Sequence, residues 1–165
     1  MTALKQEIKQ TRPFDSLEQE VYVSLRLTAQ LMDEPWGRYL RKTEGISPSQ
    51  YNLLRILRAA GADGRTMGEI SERMINRDPD VTRLADRTVK LGLARRDRDE
   101  SDRRVVKLFI TQRGMDMLSR LDDQVNLFVK QMLGALGPKR LKELRDLLSV
   151  ARAAVRPFPP VEATK

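Results

Sequence analysis

Residues 93–114 read LARRDRDESDRRVVKLFITQRG, and this stretch decides the fold. A short basic strand runs into a charged turn. A second strand leaves it with Val106, Leu108 and Ile110 alternating with Val105, Lys107 and Phe109. Alternation with period two predicts a hairpin strand with one buried face. The turn holds no Asn-Gly or Gly-Gly pair. It holds Arg98, Arg103 and Arg104 among Asp97, Asp99, Glu100 and Asp102. Guanidiniums gathered at a tip repel one another, so a purely structural hairpin has little use for three. A hairpin that enters the minor groove of DNA does, because the potential there is most negative and the guanidinium suits it.

The residues upstream supply the context. Asp78 is the expected N-cap of a helix and Pro79 suits its first position. Val81, Leu84, Ala85, Thr88 and Leu91 then follow at helical spacing as a buried stripe, and Gly92 stops the helix. Thr82, Arg83, Asp86, Arg87 and Lys90 occupy the other side. Before it, Thr66-Met67-Gly68-Glu69 is a capping-box pattern for a short helix that turns Ile70 and Met74 inward. Short helix, turn, helix and two-stranded ribbon together predict a winged helix-turn-helix, with the second helix in the major groove and the ribbon reaching along the duplex.

The 165 residues suffice for one domain with an appended dimerisation element. No run of 18 apolar residues exists and the N-terminus lacks an apolar signal core, so a cytoplasmic protein with no membrane partner is expected. The net charge of +8 points to a polyanion. Residues 1–45 carry seven basic and seven acidic side chains, whereas residues 46–111 carry fourteen basic and ten acidic, all of the fourteen Arg except Lys90 and Lys107. An excess made of Arg suits phosphates and base edges. The absence of Cys and His excludes thiolate chemistry, the usual zinc sites and a Ser-His-Asp triad, and no Gly-rich phosphate loop is present. No catalytic residue, metal or cofactor is expected, and the chain is not read as an enzyme.

Residues 1–15 read as a flexible N-terminal tail and residues 156–165, with Pro157, Pro159 and Pro160, as a C-terminal one. From Ser16 a long helical pattern passes through Val21, Leu25, Ala29 and Met32; Pro35 is expected to kink or restart it before Trp36, Tyr39 and Leu40. Ser47-Pro48-Ser49-Gln50 starts another helix, which buries Leu53, Leu54 and Leu57 and ends before Gly61, with a turn at Asp63-Gly64. After the wing, Thr111 caps a helix carrying Met115, Leu118, Leu121, Val125, Phe128 and Met132. Gly137-Pro138 breaks it, and a last helix carries Leu141, Leu144, Leu147, Leu148, Ala151 and Val155. The expected class is mainly α with a small antiparallel β-wing: a winged helix-turn-helix at 46–111 flanked by dimerisation helices at 16–45 and 112–155. One winged helix has too small a core to cover all those apolar stripes, so a two-fold homodimer is expected to bury them.

The chain resembles the MarR family of bacterial transcriptional regulators. The resemblance is carried by Asp78-Pro79-Asp80-Val81-Thr82-Arg83-Leu84, Gly92-Leu93, Asp102-Arg103-Arg104 and Ile110-Thr111-Gln112-Arg113-Gly114, and covers about residues 16–155. These match the family's recognition helix, its entry to the wing, its Asp-x-Arg wing motif and the Leu-Thr-x-x-Gly that starts the next helix. Ile110 stands where Leu is usual, and Pro79-Asp80 where small hydroxyl residues are common. The resemblance implies that an Arg of the wing motif reaches DNA, without distinguishing Arg103 from Arg104. It also implies that a small lipophilic or aromatic effector binds where the dimerisation helices meet the winged domain.

The DNA-binding residues expected are Arg77 for a phosphate, Thr82, Arg83 and Arg87 in the major groove, and Arg98, Arg103 and Arg104 on the wing. If Val106 faces the core, Arg104 shares its phase and forms a brace with Asp102, leaving Arg103 for the groove. Trp36, Tyr39 and Tyr51 are the candidate effector contacts, with plain core packing the favoured alternative. The function expected is that of a homodimeric, sequence-specific binder of double-stranded DNA that represses transcription and is released by a small effector. The alternative is a winged-helix module that binds protein without DNA.

Overall fold

The computed structural model describes residues 3–76, 80–98, 102 and 104–155. Their elements run α1 (Ala3–Glu7), α2 (Leu17–Thr43), α3 (Pro48–Ala60), α4 (Met67–Arg73), α5 (Val81–Lys90), β1 (Ala94–Arg98), β2 (Val106–Ile110), α6 (Gln112–Leu133) and α7 (Gly137–Val155), with 3-10 turns at Gly61–Asp63 and Gly134–Leu136. The class is the expected one, mainly α with a two-stranded antiparallel sheet. No helix among the described residues is long and apolar enough to cross a membrane.

The helix starts follow their local chemistry. Ser47 and Gln50 form a complete capping box on α3, as do Thr66 and Glu69 on α4, so each helix satisfies one orphan N–H at its third residue and one at its cap. Ser16 accepts from Gln19 N–H at 3.2 Å and opens α2. Three expectations need correction here. The N-terminal stretch read as a tail holds the short helix α1. Helix α2 continues through Pro35, so the restart expected there does not occur. Pro35 is exposed, so the Leu31 carbonyl deprived of its partner can be hydrated rather than left unpaired in a core. The cap of α5 is Asp80, and the helix begins at Val81; Asp78 and Pro79, expected in these roles, lie outside the described residues.

The chain divides into two compact units, one ending at Asp122 and the other beginning at Asp123. In the first, α3 has two apolar faces. Leu53 and Leu57 join Ile70, Met74, Val81, Leu84, Ala85, Ala94 and Leu108 in one core cluster. Tyr51 and Leu54 join Leu40, Ile46, Leu93, Met117, Leu118 and Leu121 in the other. A fully buried leucine such as Leu84 or Leu108 contributes roughly 1.5–3 kcal/mol by leaving water. Arg58 of α3 grips Asp122 of α6 in a bidentate pair at 2.8 and 2.9 Å. Those bonds hold the Asp122 carboxyl below the usual carboxylate range, against a smaller opposing push from desolvation.

The wing pairs Ala94 with Ile110 and Arg98 with Val106. Leu108 is its buried centre, and Arg65 adds a bridge on the far side, donating to Leu108 O at 2.9 Å and accepting from Leu108 N at 2.7 Å. Val106, expected to face inward, is 49% exposed, because the hairpin has left the core by that point. Leu91, also expected inside, forms the C-cap of α5 and is exposed. At the base of the wing Thr111 makes a clasp: its hydroxyl donates to Gly92 O at 2.7 Å and accepts from Gly114 N at 3.2 Å, while its own N–H donates to Leu93 O at 3.1 Å.

In the second unit no described residue of α7 is buried, and Leu147, Val150 and Val155 are exposed. The first unit shows the same in α2, where Leu17, Val21, Tyr22, Leu25 and Leu31 face solvent.

Candidate nucleic-acid interface

Helix α5 keeps Val81, Leu84, Ala85 and Thr88 on its buried side. The Thr88 hydroxyl donates to Leu84 O at 2.8 Å, so burial leaves it satisfied. Thr82, Arg83, Arg87 and Lys90 lie together on the exposed side. Arg83 has a local partner: its Nε stands 3.0 Å from Asp80 Oδ2, while its backbone N–H donates to Asp80 Oδ1 at 3.0 Å. Asp80 thus caps the helix and steadies a guanidinium at its N-terminal end. The Arg83 side chain is 79% exposed, so the ion pair is worth no more than about 1 kcal/mol and is easily exchanged for a phosphate or a guanine edge.

On the wing, Arg95 lies opposite Phe109 and Arg96 opposite Leu108. The Arg95 guanidinium sits 4.6 Å from the Phe109 ring centroid and pairs with Asp97. Arg96 reaches across to Asp86 of α5 at 2.6 Å. Sequence reasoning missed Arg95 and Arg96, and offered Asp86 only as an ion-pair partner for Arg83 or Arg87. An acidic residue on an otherwise basic helix face was the available signal that a nearby cation needs it. At the tip, Arg98 and Arg104 are both exposed. Asp102 does brace Arg104, but through the backbone: Asp102 Oδ1 accepts from Arg104 N–H at 2.9 Å, and Asp102 O accepts from Val105 N–H at 2.9 Å. Arg77 and Arg103 lie outside the described residues.

The three aromatics come together. Trp36 stacks on Tyr39 with ring centroids 5.4 Å apart and meets Tyr51 edge-on at 5.5 Å. Tyr51 is buried and the other two are half-buried against the second core cluster. Burial pushes the Tyr51 hydroxyl above its ordinary pKa, against a lowering by nearby Arg55.

A MarR family model matches residues 44–105, which span α3, α4, α5 and β1. The HTH-type transcriptional repressor MdtR of Bacillus subtilis is 31% identical over 100 residues, 61% of this chain and 63% of that protein. The chain spans about half to under two thirds of the length of the curated relatives it matches. The solved MarR transcription factor of Planctomyces limnophilus is 36% identical over 84% of this chain and 99% of its own, with a TM-score of 0.62. Sco3205 of Streptomyces coelicolor, a MarR family transcriptional regulator solved in complex with DNA, shares the fold at 23% identity and a TM-score of 0.76, over 90% of this chain and 94% of its own. On the near-complete, 36% identical match to a solved MarR transcription factor, this chain belongs to the MarR family.

Proposed function

We propose that the protein is a homodimeric, sequence-specific binder of double-stranded DNA that represses transcription. The observation that carries this reading is the exposed side of α5. Thr82, Arg83 and Arg87 stand there on a helix whose other side is anchored in the core. A rigidly seated helix that offers a small residue beside two guanidiniums suits the major groove, where Arg reads guanine by two parallel hydrogen bonds. Arg98 and Arg104 of the wing, with Arg77 and Arg103 at positions outside the described residues, supply phosphate and minor-groove contacts in this reading. Repression is supported by the likeness to MdtR, itself a repressor.

Homodimer formation is supported by the exposed apolar residues of α2, and separately by those of α6 and α7: Val21, Tyr22 and Leu25, then Leu127, Val129, Leu147 and Val150. Burying such stripes against a second copy removes apolar surface from water. In the same reading residues 16–45 and 112–155 serve dimerisation, and 46–111 bind DNA. A small lipophilic or aromatic effector is proposed to act against Trp36, Tyr39 and Tyr51, and it must prefer the DNA-incompetent arrangement to shift the balance.

A salt-dependent gel shift on genomic fragments selected for affinity tests the main reading. Retained fragments sharing paired half-sites, with affinity falling steeply as salt rises, are expected. Failure to retard any fragment at low salt would leave the winged helix as a protein-binding module.

A further inference from the structure

We propose that Asp80 is a specificity-determining residue of the DNA interface: it holds the Arg83 guanidinium so that its outer edge meets a guanine rather than a phosphate. The inference rests on the reading of α5 as the helix of the major groove. Asp80 is the N-cap of α5 and Arg83 lies in its first turn, and the Asp80 carboxylate is divided between two tasks. Oδ1 accepts from the Arg83 backbone N–H at 3.0 Å, and Oδ2 stands 3.0 Å from Arg83 Nε. Capping needs one oxygen. A serine supplies one and would leave Nε without this acceptor. The second oxygen of Asp80 is therefore surplus to the helix, and its role lies with the side chain it meets.

The geometry suits a base contact. A guanidinium carries five N–H donors, one on Nε and four on the two terminal nitrogens. Asp80 takes the Nε side, which leaves the terminal nitrogens as a fork that matches the O6 and N7 acceptors of guanine. A guanine can therefore bind without displacing the carboxylate. The Arg83 side chain is 79% exposed, so burial does not fix its direction, and the carboxylate does. The acidic residue within α5 itself, Asp86, is turned to Arg96 of the wing at 2.6 Å. A long side chain anchored beforehand loses less freedom on binding.

Charge works in the same direction. Every base pair offers phosphates and only some offer a guanine in the right place, so an arginine that discriminates must gain less from the backbone than from the base. Arg83 alone would be drawn to any phosphate. Paired with Asp80 it belongs to a couple of zero net charge, and the carboxylate is itself repelled by the backbone. Asp80 thus lowers affinity for DNA of any sequence while favouring the base edge. A neutral residue that only capped the helix would do neither.

The test measures binding of the full chain to an affinity-selected genomic fragment, to its single-base variants and to a duplex of unrelated sequence, by fluorescence anisotropy at several salt concentrations. Wild type, Asp80→Ser, Asp80→Asn, Arg83→Ala and Asp80→Ser combined with Arg83→Ala are compared. Ser and Asn both cap helices well, so thermal unfolding of either variant should match wild type. The base pair whose preference Arg83→Ala abolishes identifies the Arg83 contact. At that pair Asp80→Ser and Asp80→Asn should each reduce the preference about two- to fivefold, the factor to which the coupling of an exposed ion pair corresponds. In the Arg83→Ala background Asp80→Ser should change no base preference. Both Asp80 variants should bind the unrelated duplex more tightly than wild type, with the excess shrinking as salt rises. A preference that both Asp80 variants leave intact, a change that persists without Arg83, or unrelated DNA bound no more tightly would each overturn the proposal while leaving α5 in the groove. Arg83→Ala abolishing no preference would overturn it too. A wild type that selects no fragment would remove the reading beneath it, and the proposal with it.

Discussion

Asp86 of α5 and Arg96 of β1 meet at 2.6 Å, so the helix proposed for the major groove and the hairpin proposed for the minor groove are tied by a charged pair. Their side chains are 43% and 38% exposed, so solvent screening keeps the pair weak. A double-mutant cycle with Asp86→Ala and Arg96→Ala, read by urea unfolding, should give a coupling of about 0.2–1 kcal/mol that shrinks with added salt. A coupling near zero at low salt would mean that the tie does not form in solution.

Arg83→Ala and Arg87→Ala should each weaken specific DNA binding by about 1–3 kcal/mol, measured by fluorescence anisotropy on a selected fragment. Folding should hardly change, because both side chains lie opposite Leu84 and Thr88 and the Asp80 cap on the Arg83 N–H survives the substitution. Unchanged affinity in both variants would remove α5 from the groove.

Gly114 and Gly68 should respond oppositely to Ala. A Cβ on Gly114 would stand 2.4 Å from Leu93 O and 2.8 Å from Ile110 Cγ1, so Gly114→Ala forces backbone apart and should cost about 1–3 kcal/mol. A Cβ on Gly68 meets nothing within 4 Å inside helix α4, so Gly68→Ala should stabilise by about 0.4–1 kcal/mol. Thermal and urea unfolding check both, and equal responses would contradict the packing at the wing base.

The Arg58–Asp122 pair should give stability a defined acid dependence. Hydrogen bonds from Arg58 hold the Asp122 carboxyl below its ordinary pKa in the folded chain. Between the lowered and the ordinary value the unfolded chain binds more protons, so stability rises with pH there. The contribution is whole above the ordinary carboxylate pKa and is lost as pH falls through the lowered one. Wild type should therefore exceed Asp122→Asn in stability near neutrality and converge on it in acid. A difference that is constant across that window would show that the charge of Asp122 is not what matters.

Deleting residues 137–165 removes α7 and should yield aggregated or unfolded protein, because the apolar stripes that a second copy is proposed to cover lose part of their cover. Light scattering and analytical ultracentrifugation read the outcome. A well-folded soluble monomer would contradict an obligate dimer.

The features legible in the sequence are those fixed within a few residues. The capping boxes at Ser47 and Thr66 and the stop at Gly92 depend only on neighbours along the chain, and each appears as expected. The buried stripe of α5 was legible for the same reason, except at Leu91, where the helix has already ended. Pro35 misleads because its cost depends on whether the deprived carbonyl meets water, which the sequence does not show. Val106 misleads because alternation tells which residues share a side of the hairpin but not how far the core extends beneath it. Asp86–Arg96 and the Arg65–Leu108 bridge were illegible, since each joins segments whose approach is decided by packing rather than by spacing.

The motif at Thr111 has a mechanical meaning. One hydroxyl binds the carbonyl of Gly92, at the close of α5, and the amide of Gly114, in the first turn of α6. The bare Cα of Gly114 lets the two segments touch without a spacer. The joint therefore has almost no slack. The first turn of α6 and the end of α5 are joined by direct contacts and not by a loop. Replacement of Thr111 by Val would remove both hydroxyl bonds and keep the backbone bond from Thr111 N–H to Leu93 O, loosening the joint in part while leaving every arginine in place.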